Sequence, residues 1–437
     1  YGGKRAFSLQ HSKHVTLQNI HVTSSPGNAL AAFGGVQYLK AKNFKATLDP
    51  NETDPNAVVA TKADGIFLFH NRGHYLFKNV EAVGGTEDRM VIRELTGFNP
   101  KYVDTHTLSV CYASNPRPVD LAKVGDIYEL RDRDMNFLWR GTMVGKEVVD
   151  SKHPDWSTYG TVNYSNGSTT ARACALLEFS TPVPTNTPSV YRHDTMVHHF
   201  NPDGSRFSSN YVIIGSTFGE NRGNGAKFSA PHALIAHNTF FNTSHQGVKF
   251  PLMIDVKACS NSWGNNGSGA RNVIFDNNVI ANTGQWIPIT SLTTMPPAAV
   301  SIFTNRYTPQ NRYSLFCGRE NISAGDNPLD IQWQSHFIIS NNTVEDANWG
   351  GISVQSARDV LVRNNALART NTLSSTASGP AEYGGAGAIQ FTHSRQVIGW
   401  DNDTDQIEPG FPDLYRQTGS DRHLVDWMNE TYHPVIP

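Results

Sequence analysis

Nowhere in its 437 residues does the chain run apolar for eighteen positions, so no helical membrane span is expected. There is no surplus of positive charge: 36 Lys and Arg stand against 38 Asp and Glu, a net charge of -2. Nothing in that balance favours nucleic acid or an anionic membrane as a partner. Charged residues of either sign make up only 17%. Cysteine is scarce. The four, Cys111, Cys174, Cys259 and Cys317, contain no C-x-x-C, so no zinc site is expected. Cys111 and Cys174 fall in one region; pairing and free buried thiols both remain open. No metal and no cofactor is implied. There is no initiating Met and no signal peptide, since the chain opens at Tyr1-Gly-Gly-Lys and enters a strand pattern almost at once. The start is expected to have been removed together with a secretion signal.

Gly, Asn, Ser and Thr are abundant, as in turn-rich β proteins. Nine N-x-[S/T] sequons occur, at Asn51, Asn163, Asn166, Asn242, Asn266, Asn321, Asn341, Asn402 and Asn429. Chance supplies several in an Asn-rich chain, and the number fits a secreted, extracellular glycoprotein.

A chain of this length calls for several compact domains or for a stacked repeat. One short pattern recurs: alternating apolar residues, then Asn, then one residue, then an apolar one. It is seen at Asn19, Asn43 and Asn79, and again at Asn238, Asn278, Asn342 and Asn365, with a degenerate copy at Asn402. The spacings of 24, 36, 40, 23 and 37 describe a unit of about 22–24 residues that sometimes carries a longer loop. Each unit holds two or three short strands separated by Gly or Asn turns. A helical reading fails, because β-branched residues, Gly and Asn dominate. The fold class expected is all-β: a parallel β-helix, with Asn at equivalent turns and Val, Ile, Leu and Phe stacked inside.

The repeat is interrupted between about Arg93 and Tyr191, where strands such as Thr107–Tyr112, Asp126–Leu130 and Ala173–Phe179 come at irregular spacing. This reads as a small antiparallel β-barrel or sandwich inserted between coils. The expected divisions are a first β-helix part over 1–92, the insert over 93–191, a second β-helix part over 192–405 and a cap over 406–437. A short helix is expected at Leu424–Asn429.

Two acidic stretches stand out, Thr61-Lys-Ala-Asp64-Gly and Gly85-Thr-Glu87-Asp88-Arg. Asp64 precedes Glu87 by 23 residues and Asp88 by 24, which is one repeat. Stacked coils lie ~4.8 Å apart, so carboxylates one repeat apart project side by side. Three clustered acids repel and at least one holds its proton. A protonated acid beside an ionised carboxylate is what splitting a glycosidic bond requires; a separation of ~6.5–9.5 Å implies inversion and ~5 Å retention. The bland alternative is a polar face of the β-helix or a divalent-ion site.

Thr61-Lys-Ala-Asp-Gly-Ile, followed by Gly85-Thr-Glu-Asp-Arg-Met-Val-Ile, resembles the paired acidic segments of glycoside hydrolase family 110. Asn221-Arg-Gly-Asn-Gly-Ala-Lys227 and Arg271-Asn-Val-Ile-Phe-Asp-Asn-Asn278 are similar to later segments of that family. The resemblance implies a right-handed parallel β-helix α-1,3-galactosidase with a small β-barrel inserted after the second acidic segment, and an inverting mechanism. It matches Asp64 and Asp88 to the base-side carboxylates and Glu87 to the proton donor. The family's Asp-Asp is Glu87-Asp88 here.

Arg222 and Lys227 are the candidates to grip substrate hydroxyls or neutralise the acids, and Trp263, with Trp286 and Trp349, to stack on a sugar face. Histidines at His70 and His74 read as structural turn residues, and His198-His199 as a pair following the insert without a third metal ligand. The function expected is removal of a terminal α-linked galactose, or a related sugar, from a glycan. Two rivals remain: a polysaccharide lyase or other β-helix hydrolase, the lyase using Arg222 or Lys227 as base, and a non-catalytic carbohydrate-binding β-helix. No oligomeric state is implied.

Overall fold

The computed structural model describes residues 4–51, 53, 59–94, 97–112, 122–131, 137–150, 152–159, 161–164, 167–170, 173–184, 196–253, 269–285, 298–305, 334–370, 387–392, 394–406, 413–418 and 424–425. Within them the chain winds into a parallel β-helix. Each full coil contributes one strand to a ten-stranded parallel sheet and, in most coils, two to a seventeen-stranded one. The coils stack in strict register. Leu30, Ile66, Met90, Ala226, Val248, Val300, Ile352 and Ile389 form one inward column of the ten-stranded sheet. Phe77, Ile213, Ile235, Phe275 and Ile339 form another in the second sheet. All are fully buried. Period-2 alternation puts every second side chain into this one long core, which is why the strands form despite parallel pairing being of long range.

The corners between strands use the left-handed backbone. Asn19, Asn43 and Asn79 take φ of 55°, 49° and 53°. Their side chains link across coils, Asn43 Nδ2 donating to Asn19 Oδ1 at 2.8 Å and Asn79 Nδ2 to Asn43 Oδ1 at 3.3 Å. The later recurring Asn residues occupy a different position from these three. In those coils Gly215, His237, Asn277, Asn341, Asn364 and Asp401 hold the left-handed corner. Asn238, Asn278, Asn342, Asn365 and Asn402 follow it and point inward, buried. Each forms a rung: Asn342 Oδ1 accepts from Asn278 N at 2.9 Å and from Asn278 Nδ2 at 3.0 Å, and Asn365 Oδ1 does the same for Asn342. One apparent sequence motif therefore covers two structural jobs, because both kinds of Asn sit beside the same turn. Asn402 donates its amide to Val362 O at 2.9 Å, so this sequon is closed to glycan attachment.

After the strand Met90–Arg93 the chain leaves the β-helix and builds a closed six-stranded antiparallel barrel. Its strands are Gly97–Asp104, Thr107–Tyr112, Ile127–Arg131, Phe137–Val149, Ala173–Phe179 and Met196–Phe200. The pair His198-His199 lies on the last barrel strand rather than after the insert, pairing with Glu129 and Tyr128. Coil stacking resumes at Tyr211–Ile214, which pairs with Tyr75–Lys78. Cys111 and Cys174 are register partners on neighbouring barrel strands, and Cys174 is disulfide-bonded. The barrel core, with Leu108, Tyr128, Trp139 and Phe179, is continuous with Ala31, Phe33 and Phe69 on the outer face of the ten-stranded sheet. The barrel therefore packs over the first coils of that face.

A buried polar seam joins the two parts. Arg72 bonds both carboxylate oxygens of Asp126, at 2.9 and 2.8 Å, and His199 Nε2 meets Asp126 Oδ2 at 2.8 Å. The seam also explains why His70 looked structural: it is buried and stacks on Phe207 at 4.6 Å. At the far end, Asp413–Thr418 adds a strand to the ten-stranded sheet, and Leu424–Val425 pairs with Ile398-Gly399. The helix expected at Leu424–Asn429 thus begins as strand, because Leu424 and Val425 pair in register with the coil before them; residues 426–429 lie outside the described residues.

Candidate active site

Asp64 and Asp88 hold the same corner position on adjacent coils. The register Ile66 to Met90 fixes this, and Gly65 N donates to Asp88 O at 3.1 Å while Ile66 N donates to Arg89 O at 2.9 Å. The column continues on either side in neutral amides. Asn28 Nδ2 donates to Asp64 O at 3.1 Å. Asn224 donates both its backbone N–H, at 2.8 Å, and its Nδ2, at 2.6 Å, to Asp88 Oδ1. Glu87 precedes Asp88 in the same corner, and its carbonyl accepts from Asn221 Nδ2 at 2.9 Å. The three carboxylates are half-buried. Gly223 permits this approach, since a Cβ there would lie 2.8 Å from Asp88 Oδ1 and 2.7 Å from the Glu87 carbonyl carbon.

Beneath the acids lies Arg89, fully buried. Its guanidinium donates to Thr61 Oγ1 at 3.0 Å, to Ala63 O at 3.2 Å and to Glu87 O at 3.0 Å. It thereby ties together the two backbone corners that carry Asp64 and Asp88. The space it fills exists because residue 85 is Gly: a Cβ there would stand 2.0 Å from Arg89 Nη1.

The outer face of the ten-stranded sheet supplies further charge. Lys227 and Lys249 are register partners on adjacent strands, and the column runs on from Phe67 and Val91. Arg93, on the strand after Asp88, places its guanidinium 5.0 Å from the Phe67 ring centre and 4.6 Å from that of Phe69. This is the edge where the barrel covers the sheet.

The two aspartates are driven in opposite directions. Burial, then the charges of Asp88 and Glu87, push Asp64 up to about 8, against Arg93 and Arg89. Burial also opposes ionisation of Asp88, but Lys249, Lys227 and the two Asn224 donors outweigh it and hold Asp88 below the ordinary carboxylate range. Burial and Asp88 raise Glu87. Burial, followed by Lys249, brings Lys227 down to about 7. At neutral pH the aspartate pair therefore shares one proton, with Asp64 the favoured holder.

Of the residues expected to bind, Lys227 joins the acids, being half-buried and acting on Asp88. Arg222 is exposed, with its backbone N–H on Gly85 O at 3.3 Å. Trp263 and Trp286 lie outside the described residues. Trp349 is only 9% exposed and its ring fills the space beside Gly284, a packing role. Sequence reasoning missed Arg89, Arg93, Asn224 and Lys249. A signal for Lys249 existed: Ala226-Lys227-Phe228 and Val248-Lys249-Phe250 repeat one coil apart, each with a charge between two inward apolar residues. Among the described residues no three His, Cys, Asp or Glu side chains group as a metal site.

No protein-family model matches the chain, and no curated protein does. Solved structures align at low identity. The A-module of the Azotobacter vinelandii mannuronan C-5 epimerase AlgE6 is 8% identical with a TM-score of 0.38, over 94% of this chain and 59% of that one. The Streptococcus pneumoniae surface protein and adhesin PfbA is 10% identical with a TM-score of 0.35, over 94% and 68%. A GH87 alpha-1,3-glucanase of Streptomyces thermodiastaticus is 10% identical with a TM-score of 0.32, over 94% and 60%. The chain spans about three-fifths of the length of the two epimerase A-modules it matches, 59% and 58%.

Proposed function

We propose that the chain is a glycoside hydrolase that cleaves a glycosidic bond by carboxylate acid/base catalysis. The observation that carries this reading is the stacking of Asp64 and Asp88 at one corner of adjacent coils, with Asn224 donating twice to Asp88. Two like groups whose surroundings drive their pKa values apart are an acid and a base awaiting a substrate. Asp64 gives its proton to the leaving glycosidic oxygen. Asp88, ionised and held by Asn224, takes the proton from an attacking water, and Glu87 adds negative charge against the oxocarbenium-like transition state. Inversion by a single displacement is what the family 110 resemblance implies. These roles differ from those implied by the family 110 resemblance, where Glu87 would be the donor; the half-buried Asp64 is the group whose burial best retains a proton. The sugar we propose is a terminal α-linked galactose or a relative of it, following the resemblance of the two acidic segments. An extracellular setting is supported by the disulfide at Cys174.

Lys227 favours a second reading. An amine brought to about 7 is a competent base at neutral pH, as eliminative cleavage of a uronate-containing polysaccharide needs. One experiment separates the two. The protein is incubated with α-galactosides and with neutral and uronate-containing polysaccharides, and both new reducing ends and enoate absorbance are followed. Reducing ends without enoate absorbance support hydrolysis; enoate absorbance contradicts it and supports elimination; neither product on any glycan contradicts both.

A further inference from the structure

We infer that His245 is a further substrate-contacting residue: with Glu87 it brackets a notch at Gly223, and its ring binds a hydroxyl of the sugar seated there. This rests on the glycan-cleaving reading above and adds a binding residue to that site.

The corner that carries the acids has one length in successive coils. Before it, Thr61, Gly85, Asn221 and Thr243 are register partners. After it, Ile66, Met90, Ala226 and Val248 are. The segments 62–65, 86–89, 222–225 and 244–247 between them are equal in length, so they match position by position. The column of Asp64 and Asp88 therefore continues as Asn224 and Gln246. One residue earlier the column reads Ala63, Glu87, Gly223 and His245, all half-buried. Along this column Glu87 and His245 are the two side chains longer than a methyl group.

Two coil steps separate Glu87 from His245, or ~9.6 Å of backbone spacing. Nothing can grow from the residue between them. A Cβ at Gly223 would lie 2.8 Å from Asp88 Oδ1 and 2.7 Å from the Glu87 carbonyl carbon. Contact distances of ~3.5–4.0 Å on each side leave room for one layer of heavy atoms, as a sugar ring entering edge-on supplies.

The His245 backbone is fixed on both sides. Its N–H donates to Gly223 O at 3.2 Å, and its carbonyl accepts from Gly284 N at 2.7 Å and from Thr243 Oγ1 at 3.0 Å. Its ring is not: among the described residues neither ring nitrogen has a hydrogen-bond partner. Burial and Lys249 lower its pKa while Asp88 acts the other way, so the ring lies within electrostatic reach of both groups. A histidine kept for packing looks like His70, which is buried and stacked on Phe207. His245 instead presents a donor and an acceptor beside the carboxylates, which is what a sugar hydroxyl takes up.

The test measures kcat and KM of wild type, His245→Ala and His245→Gln on aryl α-galactosides and on the neutral and uronate-containing polysaccharides. On the substrate that turns over, His245→Ala is expected to raise KM about tenfold or more while kcat changes less than about threefold. His245→Gln, which keeps a donor and an acceptor, should recover most of the loss. A structural role alone would lower kcat through loss of active protein and leave KM where it was. If His245→Ala fails to fold, His245→Phe keeps a ring and removes both nitrogens for the same comparison. Turnover with an unchanged KM overturns the inference and leaves the glycan-cleaving reading intact, as does a loss that His245→Gln does not relieve. Should wild type cleave no glycan, the ring signals of His245 are followed by NMR in histidine-labelled protein, assigned with His245→Gln, as galactose and short neutral and uronate oligosaccharides are added. A saturable shift of those signals then supports the subsite while the glycan-cleaving reading fails; no shift with any of these sugars overturns both.

Discussion

Asp64 and Asp88 stand at one corner of the β-helix on adjacent coils, joined through the Gly65 N–H to Asp88 O bond of 3.1 Å, yet they are held in opposite protonation states. Asn224 and two lysines stabilise the charge on Asp88. Burial and the charges of Asp88 and Glu87 outweigh Arg93 and Arg89 at Asp64. Identical side chains thus acquire different chemistry from what the next coil places beside them.

The pH dependence of turnover follows. Cleavage needs Asp64 protonated and Asp88 ionised. The kcat/KM profile should fall on the alkaline side with an apparent pKa near 8, where Asp64 loses its proton, and on the acid side below the ordinary carboxylate value, where Asp88 gains one. Elimination by Lys227 predicts the reverse slope, a rise through about 7 as the amine deprotonates.

The placement of the two aspartates was legible in the sequence because one coil has a length, and 24 residues matched it. Their unlike protonation was not, since it depends on Asn224 and Lys249, which lie 136 and 161 residues beyond Asp88 in sequence and reach it only through coil stacking. The parallel β-helix was legible from strand alternation and turn residues. The division of its Asn residues between corner and ladder was not, because the two positions are adjacent and equally followed by apolar residues.

Arg89 and Gly85 should behave as one unit. Gly85→Ala puts a methyl group into the guanidinium and is expected to cost roughly 1–3 kcal/mol or more of stability. Arg89→Ala removes the guanidinium's bonds to Thr61 Oγ1, Ala63 O and Glu87 O; Thr61 Oγ1 still donates to Ala63 O and Asn221 Nδ2 to Glu87 O, so the expected cost, about 2–5 kcal/mol, comes from the lost charge-assisted bonds and the space left empty. In the double variant the Gly85→Ala cost should shrink, because the clash is gone. Urea denaturation of all four proteins measures this; strict additivity would show that the two do not meet.

The Asn ladder is a second stability element. Asn342→Ala strands the buried N–H of Asn278 and takes the partner from one of its two amide hydrogens, the other staying on Ile235 O, and should lower stability by about 1–3 kcal/mol per stranded hydrogen, read as a shift in urea midpoint. Asn341→Ala, one residue away on an exposed corner, loses no ladder rung and should cost markedly less.

Acid should weaken the junction between barrel and coils. His198 is buried, and Arg206 Nη2 lies 2.9 Å from its Nδ1, which must accept and so be unprotonated. Burial and Arg206 hold His198 well below its ordinary value. The unfolded chain takes up this proton below about 6.5 while the folded chain does not, so stability falls as pH drops from there. Asp126 acts in the same direction at lower pH: its folded value is about 2, so the stability it contributes is present above its ordinary carboxylate value and is lost as pH falls toward 2. Thermal melts from pH 7 to 4 should show the decline, and His198→Gln should make it shallower between pH 6.5 and 5.

The proton-donor role of Asp64 is tested most directly by comparing wild type and Asp64→Asn on aryl glycosides with poor and with strongly activated leaving groups. A general acid contributes on the order of 10²–10⁴ in rate when the leaving oxygen needs a proton and little when it does not. The expected result is a loss in kcat of that size on the poor leaving group and a loss of less than about tenfold on the activated one. Equal losses on both substrates, or no loss on either, would contradict the assignment of Asp64 as the acid that splits the glycosidic bond.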